Sequence, residues 1–129
     1  MATQTLYHIS HVSNEHSDWM RACEFYIQEI QILENRLSEV SQRYTRDDVK
    51  ADVEHYQNQF IIQRGNFEDL IKDIKTHEIH MSNDAEKKAL HLSNTTLAEH
   101  DVMRERFQHM EKFINNLRHD YNKFLSRYM

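Results

Sequence analysis

Apolar residues recur along this chain in long ladders of alternating four- and three-residue steps. The first reads Trp19, Cys23, Tyr26, Ile30, Leu33, Leu37, Val40 and Tyr44, and it continues backwards in phase through His16, Val12 and Ile9. Such alternation keeps one stripe of an α-helix against a neighbour along its whole length, as in a coiled coil. The helix is therefore expected to start as early as Thr3. The alternative start is Ser13 or Asn14, either of which suits an N-cap, with Glu15 and Asp18 in the first turn. A second ladder runs Val49, Val53, Tyr56, Phe60, Gln63, Phe67, Leu70, Ile74, His77 and Met81, with Gln63 and His77 as its polar intrusions. The third runs Ala89, Leu92, Thr96, His100, Met103, Phe107, Met110, Ile114, Leu117, Tyr121, Phe124 and Tyr128. It carries a phase slip, two successive four-residue steps around Thr96 and His100, which is a stutter that locally alters the supercoil.

The boundaries between ladders carry capping signals. Thr45-Arg46-Asp47-Asp48 sets a hydroxyl three residues before an acid, a variant of the capping box. Ser82-Asn83-Asp84 closes the second ladder, and Asn83 with Glu86 forms a similar pair. Thr96 with Glu99 offers a further cap, so residues 84–129 read either as one helix with a local irregularity or as a short helix followed by a long one. Connections this short join antiparallel neighbours. The expected fold is all-α, an elongated up-down-up three-helix bundle of long helices forming a single domain over residues 1–129. A break near 93–96 would add a fourth, short helix. Association of hairpins into a dimeric bundle satisfies the same ladders.

Composition narrows the class further. The 129 residues include no proline and one glycine, Gly65, so the turn chemistry that hairpins and sheets need is missing. The net charge of −5 lacks the basic surplus that drives phosphate-backbone binding, so no nucleic-acid partner is expected. Acids dominate residues 1–42 (Glu15, Asp18, Glu24, Glu29, Glu34, Glu39) and bases dominate 102–129 (Arg104, Arg106, Lys112, Arg118, Lys123, Arg127). Those segments are expected to lie side by side and neutralise each other. Cys23 is the sole cysteine, which precludes an internal disulfide and suits a reducing compartment. No signal-peptide pattern and no apolar run long enough to span a bilayer is present, so no membrane association is expected and the location is read as cytoplasmic.

Ten histidines are the composition's chemical flag. With a turn near 46, His16 falls opposite His77. With a turn near 83, Ala89 to His91 reach the same level, and His80 lies close by. Imidazole is the commonest metal ligand, so His16, His77, His80 and His91 form the candidate site for a transition metal such as Zn or Fe, with Glu15, Asp18, Glu78 and Asp84 as extra ligands or supporting carboxylates. Against that stand hydrogen-bonded core histidines and helix-end caps. The same register sets Gln63 level with Met103 and His100, as a buried polar layer. The Glu-x-x-His pairs of ferritin-like di-iron bundles are absent, since no histidine has Glu three residues before it. Catalysis finds no support: there is no glycine-rich phosphate loop or nucleophile elbow, and Cys23 sits on the ladder, where burial makes it inert. Tyr44, Tyr121, Phe124 and Tyr128 should form an aromatic core at the other end, with their hydroxyls reaching solvent.

The sequence therefore predicts a non-enzymatic bundle without a resident cofactor, acting through protein–protein contacts or self-association. The alternative is a metal-binding or metal-sensing bundle built on the histidine cluster.

Overall fold

The computed structural model describes residues 2–87 and 92–128, and the side chains of 9–84 and 92–128. Helix α1 spans Ala2–Arg43, α2 spans Asp47–Lys87 and α3 spans Asn94–Tyr128. No strand occurs among the described residues. At about 1.5 Å of rise per residue, α1 alone extends about 63 Å, so three such rods leave a narrow core along their length. The early start of α1 is the one realised, and Ser13 and Asn14 lie inside the helix.

The ladders are the core. Trp19, Cys23, Ile30, Leu37 and Val40 from α1 meet Val49, Phe60, Phe67, Leu70 and Ile74 from α2, and Phe107, Ile114, Leu117 and Tyr121 from α3, all buried. Leu125 joins them from outside the ladder. Gly65 faces open space, so α2 runs through it without a close contact that would demand glycine.

Both turns differ from their expected places, the first by a single residue. The first intrahelical bond of α2 runs from Lys50 N–H to the Arg46 carbonyl at 3.0 Å, so Arg46 rather than Thr45 holds the N-cap position. The Arg46 guanidinium closes on Asp48, with Nη2 to Oδ2 at 2.6 Å. The second turn differs more. Ser82-Asn83-Asp84 does not end α2, which continues to Lys87, and no separate short helix precedes α3 among the described residues. Ser93 is the N-cap instead: its Oγ accepts the Thr96 N–H at 3.1 Å and its carbonyl accepts the Leu97 N–H at 3.0 Å. Asp84 ties the turn together, its Oδ2 accepting from Ser93 N–H at 2.9 Å and from Thr96 Oγ1 at 2.6 Å. A cap residue whose own N–H is held by a carboxylate from the preceding helix outweighs the Asn83 signal.

The charge asymmetry resolves into ion pairs between helices. Glu15 pairs with Arg104 and Glu29 with Arg118, joining α1 to α3. Glu34 pairs with Arg64 and Asp73 with Arg106, joining the other two interfaces. At the far end Tyr44, Tyr56, Tyr121, Phe124 and Tyr128 make the expected aromatic cluster. The Tyr121 hydroxyl, however, is buried and donates to the Leu33 carbonyl at 2.8 Å rather than reaching solvent.

Candidate metal centre

Each helix delivers one histidine to the same level of the bundle. His16 occupies the α1 ladder one turn before Trp19, His77 the α2 ladder, and His100 the stutter of α3. Their exposures are 0%, 2% and 2%. The α2–α3 register decides which third histidine arrives. Because α2 runs on to Lys87 and the cap falls at Ser93, the level of His16 and His77 meets His100 on α3. The buried layer expected around Gln63 is therefore dissolved: Gln63 is buried but lies elsewhere along α2. His91 falls outside the described residues. His80 lies on the half-exposed outer face, with Nδ1 3.3 Å from Glu99 Oε2, and does not join the trio.

The contacts within the trio are close and directional. His77 Nδ1 lies 3.1 Å from His16 Nε2, and His100 Nδ1 lies 3.2 Å from the same atom. The outer nitrogens are anchored: His77 Nε2 is 2.9 Å from the Thr96 carbonyl, and His100 Nε2 is 3.0 Å from Glu15 Oε1. These partners assign the tautomers. A carbonyl only accepts, so His77 carries its hydrogen on Nε2. An ionised carboxylate only accepts, so His100 does the same. In the neutral rings both Nδ1 atoms are then bare lone pairs aimed at one nitrogen. His16 can offer them a single hydrogen from Nε2, which leaves its own Nδ1 bare, and that atom is buried without a hydrogen-bond partner.

The surroundings favour neutral imidazoles at His16 and His100. Burial, followed by the neighbouring His100 and His77, holds His16 down at about 4. Burial also lowers His100, against the pull of Glu15. Arg104 grips Glu15, with Nε to Oε2 at 2.8 Å, and holds its carboxyl down at about 2. His11 Nε2 reaches the same carboxylate at 3.0 Å. Trp19 stacks on His100 with ring centroids 4.8 Å apart, which covers the cluster on its core side. A groove of about 270 Å³, lined among others by Asp73, His80, Glu99 and Arg106, adjoins His77 from the α2–α3 surface.

Three converging nitrogens with one hydrogen between them make a poor hydrogen-bond network and a good ligand set. Zinc–nitrogen bonds of about 2.0–2.1 Å in a tetrahedral shell place neighbouring nitrogens about 3.3 Å apart. The 3.1 and 3.2 Å separations are already near that edge. A carbonyl and a carboxylate on the far ring nitrogens, as Thr96 and Glu15 are here, are the kind of outer partner that fixes ring orientation at metal sites. Among the described residues, His16, His77 and His100 are the group of His, Cys, Asp or Glu side chains whose donor atoms all lie within 4.8 Å of one another. Cys23 offers no nucleophile, as burial pushes its thiol up to about 12.

Two of the four histidines singled out in the sequence, His16 and His77, thus meet. His100 was the residue missed. Its signal was the Ser93 hydroxyl as a cap, which moves the turn and with it the level at which α3 presents a histidine. No protein-family model, curated protein or solved structure matches this chain.

Proposed function

We propose that this protein is a metal-binding helical bundle that holds one divalent first-row transition-metal ion, Zn(II) by preference, between His16, His77 and His100. The observation that carries the reading is the pair of bare Nδ1 atoms converging on His16 Nε2 at 3.1 and 3.2 Å. A neutral, all-imidazole donor set suits zinc, copper, iron and nickel rather than calcium or magnesium. Because the ligands come from three different helices, the ion would cross-link the whole bundle, so its occupancy would set stability. The role is that of a binding protein, with no catalytic step assigned.

Elemental analysis of protein produced without a histidine tag, loaded with zinc and dialysed, is the test. One zinc per chain is expected for the wild type and for His80→Ala, and none for His77→Ala or His100→Ala. Wild-type protein that retains no more zinc than His100→Ala contradicts the reading.

Contact with a partner protein or a second copy is a second reading, supported by large apolar side chains left on the outside. On α1, Phe25 is 58% and Ile32 is 55% exposed, a heptad apart on one stripe. If that stripe mediates self-association, sedimentation velocity will show a concentration-dependent dimer that a Phe25→Glu/Ile32→Glu variant abolishes. An unchanging monomer would count against self-association.

A further inference from the structure

Building on the metal reading, we infer that Glu78 is the positioning residue for metal-bound His16, taking up a hydrogen bond that exists only when the ion is present. Among the described residues, Glu78 Oε1 is the carboxylate oxygen paired with His16 Nδ1, at 3.6 Å. That separation is too long for a hydrogen bond, and the tautomers say why. In the metal-free trio the His16 hydrogen sits on Nε2, toward the two bare Nδ1 atoms, so Nδ1 and the carboxylate face each other as two acceptors. The buried Nδ1 is accordingly without a partner.

A metal ion reverses this. It takes the Nε2 lone pair, so the ring hydrogen must move to Nδ1, by exchange through solvent and with no net gain or loss of protons by the neutral ring. Nδ1–H then becomes a buried donor with a carboxylate directly ahead of it. Glu78 is free to close the gap: it is half-exposed and makes no hydrogen bond among the described residues that it would have to give up. Closure gives each of the three ligands an anchored outer N–H: His77 on the Thr96 carbonyl, His100 on Glu15, and His16 on Glu78. A surface carboxylate drawn inward by the ion also carries the occupancy of a buried site to the outside of α2.

Zinc affinity, measured by competition with a chromophoric chelator, separates the variants. Glu78→Ala is expected to bind zinc about tenfold or more weakly than wild type, in the range typical for loss of such outer partners. Glu78→Gln should lose less, because its amide oxygen still accepts. Neither substitution should move the thermal midpoint of the metal-free protein, which a merely structural Glu78 would do. Nitrogen-15 NMR of the imidazoles should place the His16 hydrogen on Nε2 without metal and on Nδ1 with zinc. Wild-type affinity in Glu78→Ala, or a His16 hydrogen already on Nδ1 in the metal-free protein, overturns the inference while zinc binding by the wild type stands. A wild type that takes up no zinc overturns the underlying reading and this inference with it.

Discussion

Zinc at about a thousand times its dissociation constant should raise the thermal midpoint of the wild-type bundle by about 12–16 °C, and His100→Ala should abolish that rise. Ligand binding to the folded state alone adds about 4 kcal/mol at that excess, and 1 kcal/mol moves the midpoint by about 3–4 °C at this chain length. The condition of binding the folded state alone is met by the topology. His77 lies 61 positions and His100 84 positions from His16, so the unfolded chain cannot present the three together. His80→Ala is the control, since that residue is half-exposed and lies outside the trio. A midpoint that zinc leaves unmoved, or moves equally in His100→Ala, would contradict the account. His77→Ala should also cost the metal-free protein about 2–4 kcal/mol, by opening a cavity and freeing the inward face of the Thr96 carbonyl.

The second large effect is acid destabilisation of the metal-free bundle. His16 has its folded pKa lowered from 6.5 to about 4, so below 6.5 the unfolded chain binds a proton that the folded chain refuses. The stabilisation is therefore complete above 6.5 and is lost as the pH falls toward 4. Over that window His16 alone accounts for about 3 kcal/mol, and His100, lowered in the same direction, adds to it. Glu15 acts at lower pH: its folded pKa is depressed from 4.5 to about 2, so its contribution is present above 4.5 and fades below. Urea unfolding followed from about pH 7.5 to about pH 4.5 should show a steady fall in the midpoint that His16→Leu largely removes. A midpoint flat across that range would mean that His16 is not held as a neutral imidazole. Bound zinc should defer the fall, because protons must then compete with the ion for the same nitrogens.

The helices were legible because their information is local and repeated. A ladder of some ten seam positions over-determines a helix face, and nearly every rung named in α1 is buried. The register between α2 and α3 was not, because it rests on a single turn. The sequence suggests Asn83 or Thr96 as the cap there, and the N-cap is Ser93. What selects Ser93 is Asp84, nine residues away, accepting from the Ser93 N–H and the Thr96 hydroxyl at once. That pairing is a tertiary fact with no periodic signature, and moving the N-cap from 83 to 93 exchanges His91 for His100 as the third partner. Two polar residues in succession on an apolar seam, Thr96 and His100, were the trace it left. Tyr121 shows the same limit at the other end: its ladder position is plain, while the Leu33 carbonyl that its hydroxyl finds is visible only in the folded molecule.

If three helices converge on one ion, diffraction at the zinc absorption edge from crystals grown with equimolar zinc will locate it. One anomalous peak per chain is expected in the core, about 2.0–2.1 Å from His16 Nε2, His77 Nδ1 and His100 Nδ1, with Glu78 closed onto His16 Nδ1. A peak on the surface between His80 and Glu99, or no peak in the core, would contradict that convergence.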